Sequence, residues 1–314
     1  GALRRLHASA KTSEAVRGAL DVPVEVRLER QSAIGVELVS HEDHRFPPAQ
    51  AELPDRPLWL FCKASPARGL GVAVVGSRRA TRYGFDVARA IGERVAQAGW
   101  DVVCGLAAGV DSAAQTGAVD VEGSTTAVLG SGFDVWYPRR NRVLGEQILG
   151  GGGAVVSEFP PGTAPEPWRF PARNRIISGL AGVVIVVEAA VRSGALITAR
   201  LALEQGRTVM AIPGDLSRET SAGANLLIRD GAHPLTELDA LVEELELVMG
   251  PAPAVSRPVH EPNHGLLAHL GPTSVPLDDL ATSAGMRVDQ LLVQLTHLEL
   301  TGKVAVEGGR VRAI

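Results

Sequence analysis

Residues 170–188 read FPARNRIISGLAGVVIVVE, and the second half of this stretch decides the fold. Val183–Val187 is apolar without interruption, which is typical of a strand buried on both faces of a parallel sheet. Segments with helical spacing of apolar residues, such as Phe85–Ala98 and Leu196–Gln205, alternate with runs of this kind. The alternation predicts an α/β fold with a doubly wound, mostly parallel sheet. The other predicted strands are Val72–Val75, Val102–Cys104, Thr126–Leu129, Ala154–Val156 and Val209–Ile212.

Composition divides the chain into four predicted parts. Residues 1–70 form an N-terminal segment, helical at first and then broken by prolines, which ends in a packing or edge strand at Leu58–Cys62. Residues 71–248 hold the predicted sheet and close with a helix at Glu237–Val248, and residues 249–263 form a Pro/Ala linker. In residues 264–314, three helices and a hairpin predict a winged helix. These helices are Leu266–Leu270, Leu277–Ala284 and Val288–Thr301, and the hairpin strands are Lys303–Val306 and Val311–Ile314.

The charge balance excludes a protein that attracts nucleic acid over its whole surface. The formal net charge is -4 at pH 7, so binding of a polyanion has to rest on local clusters. Cys62 and Cys104 form no disulfide framework, and no apolar run is long enough to cross a membrane. Both observations indicate a cytoplasmic protein without a membrane partner. Because no spacing typical of a metal site, a Ser-His-Asp triad or clustered catalytic carboxylates occurs, we expect no metal, no cofactor and no catalytic residue.

The loops after the first two strands of the sheet domain are rich in glycine. Residues 76–79 (GSRR) follow one strand, and residues 105–111 (GLAAGVD) follow the next. Ligands of such sheets bind at the carboxyl ends of strands, and arginine donors suit phosphate groups. Because neither loop has the glycines of a dinucleotide site or the lysine of a triphosphate loop, the pattern favours a longer polyanion. Each loop alone is also compatible with an ordinary surface turn, in which Asp111 caps a helix beginning at Ser112.

The loop after the third strand combines arginines with aromatic residues. Residues 130–142 (GSGFDVWYPRRNR) place Trp136 and Tyr137 beside three arginines. This mixture suits a single-stranded nucleic acid, because bases stack on aromatic rings while phosphates pair with guanidinium groups. In the alternative interpretation, Trp136 belongs to the core and the arginines to the solvated start of a helix.

The first half of the opening stretch, residues 170–179, predicts an anion-binding turn beside the strand. Its Arg173 and Arg175 face the same side if the segment is extended and diverge if it is helical. Glu188, which follows the strand, is interpreted as the ion-pair partner of an arginine. Further along, Asn225 is expected to cap a helix over Leu226–Asp230.

Taken in order, seven segments resemble the DNA-processing protein A family (DprA, also called Smf). They are GSR (76–78), GLAAGVD (105–111), YPRRN (137–141), FPARNRIISGL (170–180), VVEA (186–189), SGALITA (193–199) and PG (213–214). The resemblance implies an extended Rossmann-like domain that binds single-stranded DNA without catalysis and forms a homodimer. It also implies that the protein protects incoming single strands in natural transformation and loads the RecA recombinase onto them, with single-strand-binding protein as a further partner.

The residue patterns and the resemblance together give the candidate site. By position in the family pattern, Gly76, Ser77 and Arg78 would contact backbone phosphate, whereas Arg173 and Arg175 would either touch DNA or brace the pocket. The residues expected to bind single-stranded DNA are Gly76, Ser77, Arg78, Arg79, Gly105, Ala107, Gly130, Tyr137, Pro138, Arg139, Arg140, Asn141, Arg173 and Arg175. The residues expected to support the pocket are Asp111, Asn174, Glu188, Ser193, Thr198, Pro213, Gly214 and Asn225.

The chain departs from the family pattern at several places. Ala108 and Gln115 stand where many members carry arginine and histidine, so we expect a less basic groove there. We expect the N-terminal helix-hairpin type domain of many members to be missing from residues 1–70 or cut short. The predicted recognition helix of the winged helix has few basic residues, which favours a protein contact or a weak DNA contact.

Two other functions stay open at this point. One is a nucleotide phosphoribohydrolase-type enzyme, for which Glu188 with Ser193-Gly194 is the nearest match. The other is a winged-helix transcription factor with a sensory Rossmann domain.

Overall fold

The structure is a computed structural model that describes residues 31, 33–252, 274–283, 291, 295, 299, 304–307 and 309–313. Two compact units divide the chain, residues 1–255 and residues 256–314. The helical start predicted within residues 1–30, the predicted helix Leu266–Leu270 and most of Val288–Thr301 lie outside the described residues.

A nine-stranded sheet forms the centre of the larger unit. Its strand order is β1-β2-β6-β5-β4-β3-β7-β8-β9, in which β1, β2 and β6 pair antiparallel and all other neighbours pair parallel. The strands are β1 (Glu37–Ser40), β2 (Trp59–Lys63), β3 (Gly71–Val75), β4 (Val102–Cys104), β5 (Thr125–Leu129), β6 (Ala154–Ser157), β7 (Ala181–Val186), β8 (Thr208–Ala211) and β9 (His233–Pro234). All six predicted parallel strands are therefore confirmed. The predicted strand at Leu58–Cys62 is present as β2, but it is not an edge strand because β1 lies outside it.

Helices cover both faces of this sheet. They are α1 (Pro48–Ala51), α2 (Arg82–Ala98), α3 (Val110–Asp120), α4 (Arg142–Gly150), α5 (Arg169–Gly179), α6 (Gly194–Glu204), α7 (Glu219–Arg229) and α8 (Leu241–Met249). Successive side chains of β3 point to opposite faces: Val72 and Val74 pack with α2 and α8, whereas Ala73 and Val75 pack with α5 and α6. Burial on both faces is the reason that these strands are apolar without alternation. No helix within the described ranges is long and apolar enough to cross a membrane.

The strand order creates a crevice beside β3. From β3 the chain builds β4, β5 and β6 on one side and then returns to place β7 on the other side of β3. The loops after β3 and β7 consequently leave in different directions, which opens a ligand crevice at the carboxyl ends of these two strands. Two backbone hydrogen bonds join the strands at this point, from Val187 N to Val75 O (3.1 Å) and from Ser77 N to Glu188 O (2.7 Å).

The smaller unit contains a three-stranded antiparallel sheet in the order β10-β12-β11. Its described elements are β10 (Val275–Pro276), α9 (Leu277–Ser283), β11 (Val304–Glu307) and β12 (Arg310–Ala313). Leu280, Leu291, Leu295, Val304 and Val311 form its core. The predicted helix at Leu277–Ala284 and the predicted C-terminal hairpin are confirmed, with small shifts at their ends.

Candidate functional site

A cleft of about 840 Å³ lies in the crevice at the carboxyl ends of β3 and β7. Loops from both strands line it together with the start of α5 and the start of α6. Among the predicted site residues, those that line the cleft are Gly76, Ser77, Arg78, Ala107, Asp111, Tyr137, Arg173, Asn174, Ser193 and Thr198. A smaller adjoining pocket of about 240 Å³ adds Gly105, Pro138 and Arg140. Residues from five separate motifs of the sequence therefore meet at one place.

The FPARN segment is the start of helix α5, so the prediction of an anion-binding turn there is wrong. Pro171 fits because it lies in the first turn, where the helix does not use a backbone N–H. Since the segment is helical, the side chains of Arg173 and Arg175 diverge. Arg173 reaches the sheet and the cleft, whereas Arg175 donates from Nη2 to Oε1 of Glu158 (2.6 Å) and lies 3.7 Å from Asp55.

Arg173 is a buried brace beneath the cleft, with 3% of its surface exposed. Its Nη1 donates to the carbonyl oxygen of Gly105 (2.9 Å), the residue after β4, and to that of Val128, the second-last residue of β5. Burial lowers the pKa of Arg173 to about 10, and the nearby Asp111 carboxylate opposes this fall. The guanidinium therefore stays charged at neutral pH. A Cβ on Gly105 would lie 2.7 Å from its Cζ, so glycine provides the space that Arg173 occupies.

Asp111 organises the loop that follows β4. Its Oδ2 accepts a hydrogen bond from the backbone N–H of Gly105 (2.8 Å), and burial raises the pKa of its carboxyl, an effect that Arg173 opposes. The prediction that Asp111 is an N-cap is wrong, because α3 begins at Val110 and Gly109 precedes it with φ +83°. A Cβ on Gly109 would also lie 2.9 Å from the carbonyl carbon of Arg78, so the β3 and β4 loops touch through a glycine.

A cation and two aromatic rings form the open wall of the cleft. The Arg78 guanidinium lies over the Phe170 ring, with 4.8 Å between Cζ and the centroid, and the Tyr137 ring is 5.3 Å from Phe170 between centroids. Tyr137 is 46% exposed, and Arg78 is also exposed. A Cβ on Gly130 would lie only 2.8 Å from Phe170, so this glycine makes room for the ring. We call Arg78, Tyr137 and Phe170 the stacking cluster.

Helix α6 points its N-terminus into the cleft. Ser193 caps it by accepting a hydrogen bond from Ala195 N (3.2 Å), and Asn174 donates to Gly194 O (3.4 Å). The exposed Arg192 precedes the cap and lines the cleft. The positive end of the helix dipole and a guanidinium together favour an anion here.

Two residues of this wall, Phe170 and Arg192, were not predicted from the sequence. Phe170 lies in the first turn of α5, and Arg192 lies in the loop after β7. The strand-end rule that selected Arg78 would also have selected Arg192. The aromatic signal applied at Tyr137 would have selected Phe170.

Several predicted site residues hold loops in place. Asn141 is buried and donates from Nδ2 to the carbonyl oxygens of Leu106 (2.9 Å) and Ala107 (3.1 Å). Arg139 and Arg140 lie exposed beside it in a 3-10 turn, Arg139–Asn141, and Arg79 is exposed next to Arg78.

Two of the residues expected to support the pocket, Glu188 and Asn225, make contacts other than the predicted ones. Buried Glu188 binds Thr81, not an arginine: Oε2 accepts from Thr81 N (2.9 Å) and Oε1 from Thr81 Oγ1 (2.5 Å). This contact fixes the residue that caps α2. Asn225 lies inside α7 instead of capping a helix, and its side chain pairs with the backbone N–H and C=O of Gly214, which follows Pro213 (3.0 and 2.9 Å).

The alternative interpretation of Trp136 is the correct one. Its half-buried ring packs in a core cluster with Phe133, Leu144 and Ile148, and a Cβ on Gly145 would lie 2.7 Å from its Cη2 atom. The neighbouring Tyr137 faces the cleft instead.

Models of two protein families match this chain, one over most of each unit. A family model described as DNA recombination-mediator protein A matches residues 37–246, and one described as the DprA winged helix domain matches residues 250–310. The curated Protein Smf of Escherichia coli (strain K12) is 40% identical over 287 residues, which are 88% of this chain and 77% of that protein. The DNA processing protein DprA of Streptococcus pneumoniae (strain ATCC BAA-255 / R6) is 42% identical over 209 residues, 65% of this chain and 72% of that protein.

Two solved structures are also similar. The X-ray structure of DNA processing protein A from Streptococcus pneumoniae superposes with a TM-score of 0.62 and 39% identity, covering 66% of this chain and 74% of that one. DNA processing protein A from Helicobacter pylori, described with a single-stranded DNA binding mode, gives a TM-score of 0.60 and 29% identity. That match covers 67% of this chain and 95% of the Helicobacter chain.

Proposed function

Because the chain belongs to the DNA recombination-mediator protein A family, we propose that it is a mediator that binds single-stranded DNA in the cytoplasm. The resemblance identified from the sequence is confirmed by this membership. In the proposed role, the protein protects incoming single strands during natural transformation or recombination. It then loads the RecA recombinase onto them and helps to displace single-strand-binding protein.

The stacking cluster is the observation that carries this proposal. Arg78 lies against Phe170 and beside Tyr137 on the open wall of a cleft at the sheet's switch point. A single strand offers unpaired bases to aromatic rings and phosphates to guanidinium groups, whereas a duplex hides the faces of its bases. With a net charge of -4, the chain has to attract DNA through such a local cluster.

We propose that some residues of the cleft contact DNA and that others hold these residues in place. We assign phosphate contacts to the loop of Gly76, Ser77 and Arg78 and to the N-terminus of α6 with Arg192. Tyr137 and Phe170 stack bases, and the exposed Arg79, Arg139 and Arg140 follow the backbone outside the cleft. The remaining predicted residues hold these groups in place, and the support positions are Gly105, Ala107, Asp111, Gly130, Pro138, Asn141, Arg173, Asn174, Arg175, Glu188, Ser193, Thr198, Pro213, Gly214 and Asn225.

We further propose that the protein forms a homodimer through its sheet unit. Helix α8 supports this proposal because Leu247 is 87% exposed and Val248 is also exposed on the same helix. Leu247→Arg is expected to shift the mass measured by light scattering from dimer to monomer. A wild-type protein that stays monomeric at micromolar concentration would contradict the dimer. For the winged helix we propose a protein contact.

The proposed function is binding without catalysis. Glu188, the glutamate closest to the pattern of a nucleotide phosphoribohydrolase, is buried, and Thr81 bonds both of its carboxylate oxygens. We therefore expect purified protein to release no free base from nucleoside monophosphates. If the wild type released free base and Glu188→Gln did not, the result would favour the enzyme instead.

The deciding experiment compares single-stranded and duplex DNA of one sequence by fluorescence anisotropy across salt concentrations. Single strands should bind more tightly, with little dependence on base sequence and with affinity that falls steeply as salt rises. Arg78→Ala should lower the affinity and make the slope of log K against log salt shallower by about 0.7, the value for one lost phosphate contact on a single strand. The matched control is Arg200→Ala, since Arg200 is exposed on α6 and pairs with Glu204 outside the cleft. Equal affinity for both DNA forms, or equal effects of the two substitutions, would refute the proposed site.

A further inference from the structure

Trp168 is an exposed aromatic residue at the start of α5 that the proposed site does not yet use. It is 57% exposed although it is one of the largest side chains, and it directly precedes Arg169 and Phe170. Pro165 and Pro167, its neighbours in the preceding loop, line the cleft. Trp168 therefore lies where a strand that leaves the cleft along this loop would pass.

The side chains of Arg169 and Phe159 hold the indole of Trp168 in place. The Arg169 guanidinium lies over its ring at 4.9 Å and over the Phe159 ring at 5.5 Å, and the Trp168 and Phe159 rings meet edge to face at 6.3 Å. Arg169 is itself anchored by donating to the carbonyl of Ala164. A ring fixed in this way loses little conformational freedom on binding, which is the property of a rigid aromatic anchor.

The charges around Trp168 select a base over a phosphate. The indole N–H donates to the carboxylate of Glu166, whose negative charge repels a phosphate at that edge. On the other side, Arg169 is mostly buried between the rings, so its positive charge is not presented openly to solvent. The exposed indole face thus offers stacking without a strong charge of its own, and every base has a π face to place on it.

We propose that Trp168 is a second base-stacking platform, which binds a nucleotide next to those held by the stacking cluster and lengthens the single-strand footprint. The proposal rests on the proposed function, since it extends the same DNA site. Stacking of one base on an aromatic ring is worth about 1–3 kcal/mol, which changes affinity by about 5- to 160-fold. Trp168→Ala should cause a loss of this size for oligonucleotides long enough to reach Trp168, and none for shorter ones.

The experiment measures anisotropy with oligothymidylates of about 4 to 16 nucleotides, the range of single-strand site sizes. Trp168→Ala should bind the shortest oligonucleotides like the wild type and fall behind it from one length onward. Trp168→Phe, which keeps an aromatic ring, should restore most of the lost affinity. The matched control is Leu203→Ala, because Leu203 is similarly exposed but lies at the far end of α6, about 13 Å along the helix from Gly194.

An abasic scan separates stacking from structural support. In a long oligonucleotide, one abasic position should weaken wild-type binding and have no further effect in Trp168→Ala. If Trp168→Ala binds all lengths like the wild type, the platform is refuted while the DNA site stands. If it weakens all lengths and every abasic strand equally, Trp168 acts only as support and the proposal is again refuted. If the wild type binds no single strand, the proposed function itself fails.

Discussion

Removal of the Arg173 side chain tests whether the buried brace holds the site together. In Arg173→Met, two hydrogen bonds from a cation to backbone carbonyls are lost, and Asp111 loses the favourable electrostatic effect of the guanidinium. Hydrogen bonds to charged groups are worth about 1.5–3 kcal/mol each, so the two together are worth about 3–6 kcal/mol. We therefore expect the free energy of unfolding to fall by about 3–6 kcal/mol.

The pH dependence of this loss identifies Asp111 as its cause. Burial already raises the pKa of Asp111 above its value in the unfolded chain, and without Arg173 it should rise further. A carboxyl whose pKa is higher in the folded state loses stability as pH rises through the window between the two values. The variant should therefore lose more stability than the wild type as pH increases above about 4, the usual carboxyl value. Lowering the pH should narrow the gap.

Urea unfolding followed by tryptophan fluorescence at several pH values measures both quantities. The matched control is Arg200→Met on helix α6, whose side chain and ion-pair partner Glu204 are both exposed. It should cost about 1 kcal/mol or less, as exposed ion pairs do. An Arg173→Met loss equal to the control, or one that does not change with pH, would refute the brace.

Three further predictions concern other parts of the sheet unit. Gly109→Ala should reduce single-strand affinity in anisotropy, because its φ of +83° and its contact with Ser77 exclude a side chain; unchanged affinity would contradict the close approach of the two loops. Asp101→Asn should stabilise the protein above pH 6 by up to about 3 kcal/mol, because burial raises the Asp101 pKa to about 6 while Ser124 donates to Oδ1. The gain should vanish below about pH 4, and a gain independent of pH in urea unfolding would argue against this cause. Arg192→Ala should make the salt slope shallower by about 0.7 without changing the unfolding midpoint; an unchanged slope would remove Arg192 from the site.

The strands could be predicted because burial on both faces leaves a direct trace in the sequence. Val183–Val187 and its counterparts are apolar at every position except Thr126, and all six runs form parallel strands at the predicted places. Strand β1 left no such trace, since only Val39 of its four residues is buried. Edge strands with one exposed face and one partly covered face give a pattern too weak to recognise.

The candidate site was harder to predict because its contacts depend on tertiary position. The two arginines around Asn174 suggested an anion-binding turn, yet the segment forms the helix α5, whose first turn tolerates Pro171. Similarly, asparagine is a residue type that often caps helices, but the side chain of Asn225 forms hydrogen bonds with the backbone of Gly214. Whether an arginine contacts a ligand or braces a loop depends on the carbonyl groups near it. For Arg173 these belong to strands that are 45 or more residues away in the chain.

The switch-point crevice also determines when the site can exist during folding. Strands β3 and β7 pair Gly71 with Ala181, about 110 residues later in the chain. The loop carrying Arg78 is therefore synthesised long before the loop carrying Arg192, and no part of the chain that lacks β7 contains both walls of the cleft. At about 5–20 residues per second, a ribosome needs about 6 to 22 seconds to add the intervening chain. Single-strand binding should consequently appear late and all at once in refolding or translation, which makes it a sensitive reporter of the completed sheet.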